Sequence, residues 1–477
     1  MKTTFPEEFF FLSIGEIQAK LRAKEFKVKE LTEAWAKRLE QYGPKYNALA
    51  HSLRKPAMKA AKYHDKDFKR ERFRSPLHGI PYGAKDLLSY ADHPTEWGAP
   101  QYKGQKFKEH AKVISKLEGV GANCIGKLAM VELAGGGGYR FPNASATGPG
   151  LNPWDVTRWA GGSSSGTGAA VAAGLVAFGL GSETWGSILT PAAYCGVTGL
   201  RPTYGLVSRS GAMALSWTMD KIGPMCRTAE DCGLVLQVIA GGDGDDPGSA
   251  GKSFYYTPEY VRPFAEMRMG WNPADLEAVT DPAARQAFQD ATQVLLKLGF
   301  QVKEVELPDL PYRTVASTII GCEMASIFER LVADGSIQKL VDKNQAAGIV
   351  AATQYKATDY LKAMRVRRMI QDAMAKLFSD VDVMISPSRP GVATKIDEPL
   401  DRGAGTAGSS KRGLKDLGAA GNLAGLPALS LPCGFVQNLP VGISVVSRPF
   451  QENLLLAIGK QFQAQTDWHK RRPSLPA

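Results

Sequence analysis

Residues 161–166 read Gly-Gly-Ser-Ser-Ser-Gly, and a further serine, Ser187, follows a glycine within GSETWGSILTPA at 181–192. A serine hydroxyl attacks a carbonyl carbon when a base within hydrogen-bond reach removes its proton. A phosphate-binding loop needs a lysine after the last glycine, and none follows Gly166, so that reading fails. Gly162, Ser164 and Gly166 do fit G-x-S-x-G, the strand-to-helix elbow of α/β-hydrolases, which requires a strand before it and a later acid and histidine. The preceding DVTRWAGG is polar and glycine-rich, and of the histidines at 51, 64, 78, 93, 110 and 469 only His469 comes later. A histidine-based esterase acting through Ser164 is therefore the weaker alternative.

Lysine offers another base. Lys85 sits in HGIPYGAKDLL at 78–88 among apolar and glycine neighbours. Burial without a carboxylate partner lowers an ammonium's pKa towards neutrality, which a general base at pH 7 needs. Asp86 adjoins it, but successive side chains in an extended segment point to opposite sides. After Ser187, Thr190-Pro191 reads as the cap and first position of a helix, whose free N–H groups could stabilise an oxyanion.

In these blocks the chain resembles the amidase signature family, whose hydrolases use a Ser–cis-Ser–Lys triad. The pieces that carry the likeness are GIPYGAKD (79–86), GGSSSGTGAAVAAG (161–174) and GSETWGSILTPAAYCGVTGLRPTYGLVSRSG (181–211), supported by LNPWD, IGPMCRTAED and GNLAGLPALSLPCGF. The likeness runs from about residue 13 to 473, nearly the whole chain. It implies Ser187 as nucleophile, Ser163 as the bridging serine with a cis bond to Gly162, and Lys85 as base. It further implies an oxyanion hole of Thr184, Trp185 and Gly186, with Ser164 and Ser182 hydrogen-bonding around the triad. The implied pocket is lined by Met130, Gly135, Gly136, Ser164, Trp185 and parts of 310–350, with no cofactor and no metal. Departures are Glu183, Trp185 and Leu189, at the family's acidic, first glycine and arginine positions. The Trp185 indole is expected to wall the pocket and favour apolar or aromatic substrates, and Leu189 to cost a structural ion pair.

The expected activity is therefore hydrolysis of a carboxylic amide C–N bond through an acyl-enzyme on Ser187. Substrates would be small apolar or aromatic amides, with some tolerance for esters, anilides and carbamates. The alternative within the family is the A subunit of a glutamyl-tRNA(Gln) amidotransferase, releasing ammonia from glutamine with a partner subunit. Against it, a loose alignment puts Asp342 or Lys343 where that enzyme's glutamine-gripping arginine belongs, and Asp416 one place away from its aspartate. Expected partners are a small-molecule amide and, at most, a second copy of the chain as a homodimer.

Positioning such groups needs a rigid scaffold, and the sequence supplies one. The stretches SIGEIQAKLRAKEF, VKELTEAWAKRLEQY, PAARQAFQDATQVLLKLG and ATDYLKAMRVRRMIQDAMAKLF carry apolar residues at helical spacing. The run AAVAAGLVAFGLG from Ala169 lacks polar side chains, which suits a helix buried all round followed by a core strand. VDVMIS (381–386), ALSLPCGF (428–435) and PVGISVVS (440–447) read as strands, and helices alternating with strands indicate an α/β layered fold. The family implies one large domain over 1–477, a central mixed β-sheet covered on both faces by helices. Within it we expect a helical part (1–75), a catalytic core (76–240), a variable substrate-side region (241–380) and C-terminal strands and helix (381–477).

Composition agrees, with 44% hydrophobic and 22% charged residues in 477, as in globular proteins with a sizeable core. No apolar stretch approaches the ~18 residues of a membrane span, and the acidic start argues against a secretory signal. The six cysteines are scattered without a CxxC pair, as reduced core residues of a cytoplasmic protein would be. Of the net charge of +11, residues 1–120 carry +9, with 24 basic against 15 acidic residues. The densest part, Arg54–Arg74, reads as a solvated helix face, because no aromatic interleaving accompanies it as nucleic-acid binding would require.

Overall fold

The computed structural model describes residues 5–257, 259–260, 262–400 and 414–475, with side chains in the last segment from Leu417. Eleven strands form one mixed sheet. They are β1 (Leu49–Ser52), β2 (Pro81–Lys85), β3 (Asn123–Leu128), β6 (Phe178–Glu183), β7 (Thr198–Arg201), β8 (Lys221–Cys226), β9 (Arg268–Trp271), β10 (Gln301–Glu304), β11 (Val383–Pro387), β12 (Ala428–Val436) and β13 (Leu439–Ser447). Two short strands, β4 (Leu151–Asn152) and β5 (Asp155–Trp159), pair separately. The sheet order is β1-β3-β2-β6-β8-β7-β12-β13-β11-β9-β10. Helices flank it, giving the single-domain α/β fold expected. The strands nearest the middle are buried throughout, β2, β6, β8 and β13 at every position, and read accordingly as continuous apolar or small-residue runs.

The long amphipathic helices lie where the periodicity puts them, at Val28–Tyr42, Pro282–Lys297 and Ala357–Asp380. The basic helix Arg54–Lys69 buries Ala57, Ala61, His64 and Phe68 and turns most of its cations outward. No described helix is long and apolar enough to cross a membrane.

Three local features deliver the candidate residues to one place. Strands β2 and β6 are parallel neighbours, with Ala84 opposite Leu180, so their C-terminal ends, Lys85 and Glu183, open on the same edge. The serine block runs into the helix Ser165–Ala172, every residue of which is buried. That helix sits tightly on β6 because Gly179 has no side chain: a Cβ there would lie 2.6 Å from Thr167. The third feature departs from the sequence reading. The helix after Ser187 spans Leu189–Cys195 with Ile188 as its cap, so Thr190 and Pro191 lie inside it rather than at its start. A remote carboxylate replaces the expected local cap, since Glu183 Oε2 accepts the N–H groups of Ile188 (2.9 Å) and Leu189 (3.1 Å).

Candidate active site

Lys85 ends β2 with no exposed surface. Its Nζ donates to Ser163 Oγ at 2.7 Å and Ser182 Oγ at 3.0 Å. No carboxylate among the described residues forms an ion pair with it. Burial drags its pKa down to about 7, against the weaker opposing pull of Asp220 and Glu183. Asp86 does point the other way, accepting from Lys127 Nζ at 3.0 Å and from Glu96 N–H at 2.9 Å. Asp220 is itself occupied by Thr184 Oγ1 (2.5 Å) and the N–H groups of Leu215 and Ser216.

The Gly162–Ser163 peptide is cis, as the family resemblance implied. Ser163 is 1% exposed, while Ser187 lines a cleft of about 560 Å³. Ser164 is fully buried, and its Oγ donates to Ser182 O and accepts Ser182 N–H, both at 3.2 Å. It steadies the residue that holds Lys85 and has no access to the cleft. His469, at the C-terminal end of the described fold, makes no hydrogen bond to Ser164, and the histidine-based esterase reading has no geometry behind it.

Between Glu183 and Ser187 the backbone turns at Gly186, whose φ of +86° suits glycine. The N–H groups of Trp185, Gly186 and Ser187 donate to no acceptor among the described residues. Thr184 and Trp185 line the cleft. The sequence left open what replaces the ion pair lost at Leu189. The structure answers with Arg201, whose Nη1 donates to Glu183 Oε1 at 2.9 Å while Asn422 Nδ2 donates to the same oxygen at 3.1 Å. Burial alone would raise the Glu183 carboxyl, but Arg201, Lys221 and the helix N–H groups hold it down at about 2.

The cleft is walled by Ala134, Gly135, Gly137, Gly138 and Tyr139, by Trp159, Trp185 and Tyr194, by Ile320 and Met324, and by the helix bearing Gly348 and Ala351. Of the expected lining, Gly135, Trp185 and parts of 310–350 (Ser317, Ile320, Gly321, Met324 and Gly348) are present. Met130, Gly136 and Ser164 are not among the lining residues: Met130 is wholly buried with its carbonyl accepting from Ser145 Oγ at 2.8 Å, and Gly136 backs onto Leu215 and Met324. Asp342 caps the helix Lys343–Ala352 and accepts the Arg140 N–H, so it is committed to structure. The Asp416 side chain lies outside the described residues. Sequence reasoning missed Arg389, the one charged residue of the cleft wall among the described residues, together with Tyr139 and Tyr194. Arg389 follows β11 in SPSRPG, far from the serine blocks, and a charge in the loop just beyond a core strand was the available signal.

Among the described residues one group has metal-ligand spacing, His64, Asp67 and His78. Three of its four ring nitrogens are already used. His78 Nδ1 accepts the Arg74 N–H (3.2 Å), which assigns the proton to Nε2, and Nε2 faces His64 Nδ1 at 3.1 Å. Metal binding would require the opposite tautomer, so the group is a hydrogen-bonded buried pair.

A family profile described as Amidase matches residues 30–456. The chain belongs to the amidase family. This amidase is 34% identical to the A subunit of the glutamyl-tRNA(Gln) amidotransferase of Carboxydothermus hydrogenoformans, over 98% of its own length and 100% of the relative's. Among solved structures it resembles the peptide amidase of Stenotrophomonas maltophilia, with a TM-score of 0.83, 27% identity and coverage of 99% and 100%. The corresponding amidotransferase chain of Thermotoga maritima gives a TM-score of 0.78 and 27% identity, covering both chains fully. These likenesses correct two expectations. A stand-alone amidase for apolar or aromatic amides is overturned by full-length relatives named as subunits of a tRNA amidotransferase. So is a partner set limited to a small molecule and a second copy of the chain, with nucleic acid argued away. The misplaced weight lay on Asp342, Lys343 and Asp416, whose alignment depended on where gaps were set.

Proposed function

We propose that this amidase is the glutaminase chain, the A subunit, of a glutamyl-tRNA(Gln) amidotransferase, hydrolysing the side-chain amide of glutamine to supply ammonia to a partner subunit in the cytoplasm. The observation that carries the reading is the 34% identity to a chain of that name over nearly the full length of both. The site's geometry supplies the chemistry. Neutral Lys85 draws the proton from Ser163 Oγ, which takes the proton of Ser187 Oγ as that oxygen attacks the amide carbon. The N–H groups of Trp185, Gly186 and Ser187, with that of Thr184 beside them, are the donors for the developing oxyanion, where each such donor is worth about 10²–10³ in rate. Ser163 returns a proton to the departing nitrogen, ammonia leaves, and water cleaves the acyl-enzyme by the same relay in reverse, giving glutamate.

The test is ammonia release from glutamine by the chain alone and reconstituted with the partner subunits and glutamyl-tRNA(Gln). Turnover that rises on reconstitution and vanishes in Ser187→Ala supports the proposal. A reconstituted complex that leaves glutamine intact overturns it.

A further inference from the structure

The helix Arg54–Lys69 packs on the helix Val28–Tyr42 and on β3, near the β1 edge of the sheet, and none of its residues lines the cleft. Its Lys55, Lys59, Lys62, Lys66 and Lys69 are all exposed. At steps of four, three, four and three residues they form one stripe along the helix. At about 1.5 Å per residue the stripe runs roughly 21 Å, and the exposed Arg70 and Arg72 extend it. The acids nearby are engaged elsewhere: Glu33 and Glu40 by Arg54, Asp67 by Arg74, Glu71 by Lys24, and Asp65 by the Lys29 N–H at 3.3 Å. None of the five lysines forms an ion pair with a described residue. The neighbouring helix shows the contrary arrangement, with Lys37 four residues from Glu33 and 3.0 Å from its carboxylate. Like charges three and four apart on a helix repel, so the lysine stripe works against its own helix and fold stability does not explain it.

Tyr63 stands among these lysines, 57% exposed, with Lys66 Nζ 5.5 Å from its ring centre. It supplies the interleaved aromatic residue that the sequence reading found missing. Unpaired cations in a row beside an open ring match a nucleic-acid strand, whose phosphates follow the cations while a base stacks on the ring. The centres of protein interfaces are depleted in lysine, which counts against an acidic protein as the occupant. We propose that this face docks RNA, with phosphates along Lys55 to Lys69 and an unpaired base against Tyr63. The proposal rests on the proposed function for the identity of that RNA, tRNA(Gln), and gives it a contact on the glutaminase chain itself. Contacts of this kind hold the RNA in position without reading its sequence.

The experiment titrates a fluorescently labelled tRNA(Gln) transcript with the chain alone and with the reconstituted complex, following anisotropy at several salt concentrations. K59Q/K62Q/K66Q is expected to weaken binding by about 10- to 100-fold at about 0.1 M salt and to lower the slope of log affinity against log salt by about two to three. Y63A is expected to weaken binding by about fivefold or more, whereas Y63F keeps the stack and the affinity. K362Q/R365Q/K376Q, the same loss of charge from exposed positions on the helix Ala357–Asp380, is expected to change neither quantity. Tm and glutamine turnover without tRNA should match the wild type in all four chains. A lysine variant with wild-type affinity and slope overturns the proposal. So does an equal loss from the control helix, which would leave net charge as the only cause. A lysine variant that keeps its RNA affinity but no longer assembles with the partner subunits overturns it in favour of an acidic protein. The two readings fail separately. Lysine-dependent tRNA binding by a complex that leaves glutamine intact removes the glutaminase assignment and keeps the docking face. Glutamine turnover stimulated by tRNA and indifferent to these lysines does the reverse.

Discussion

On one side of Ser187 stand Lys85, Ser163 and Ser182, none more than a tenth exposed and both serines hydrogen-bonded to the lysine. On the other side Trp185, Tyr139 and Arg389 face a cleft of about 560 Å³. The first side comes from adjacent strands, β2 and β6, and the serine block that leads into a helix packed on both. The second comes from residues 134–139, 317–324, 348–355 and 389–400, which meet only because the chain folds. Proton transfer demands groups fixed at hydrogen-bond distance with water shut out, so that side is filled. Recognition demands open space and polar groups with donors to spare, so the other side is not.

Breaking the filled side should have the largest effects. Ser187→Ala is expected to cost about 10⁴–10⁶ in kcat, whereas Ser164→Ala, beside the cis bond, should reduce kcat by far less, as steady-state ammonia release will show. Lys85→Ala is expected to cost about 10²–10⁴, and Lys85→Arg should not rescue it, because a guanidinium does not deprotonate. The pH profile sharpens the same point. With Lys85 at about 7, its protonated form below that pH cannot accept a proton. The profile of kcat/KM should therefore fall about tenfold per unit as pH drops below 7 and level off above it.

The support under the loop between Glu183 and Ser187 is next. Arg201→Met leaves the buried Glu183 carboxylate without its main partner, and breaking a buried pair typically costs about 3–5 kcal/mol. Thermal unfolding should register that loss, and a Tm unchanged within a degree or two would refute the pairing. Smallest is the open side. Trp185→Gly removes a wall and no polar contact of the relay, so kcat/KM for glutamine should fall less than about tenfold while amides bulkier than glutamine gain. Equal losses on every substrate would place Trp185 with the relay instead.

That Lys85, Ser163 and Ser182 would meet was legible only in part: Lys85 stood out in an apolar and glycine-rich run, while Ser163 and Ser187, each after a glycine, were singled out by the family resemblance, and the structure puts Lys85 Nζ on Ser163 Oγ. Periodicity likewise located the helices, since Val28–Tyr42 has its apolar face every three or four residues. The helix start at Leu189 was misplaced because its cap, Glu183, acts from the end of β6 instead of from the position next to the helix. Arg201 as the partner of Glu183, and Arg389 beside Tyr194, join residues 18 and 195 positions apart. Nothing local marks such a meeting. Met130, which the resemblance put in the pocket, lies just after β3 and is wholly buried.

The alternation at the end of β2 has one more consequence. Adjacent positions 85 and 86 bear opposite charges that would, side by side, neutralise each other and leave no base. The pleat works as an insulating wall: it sends the acid to Lys127 and leaves its neighbour facing only hydroxyls. A backbone displacement of a single residue at this point would keep every side chain in the protein and exchange the two environments, silencing the site without altering its composition.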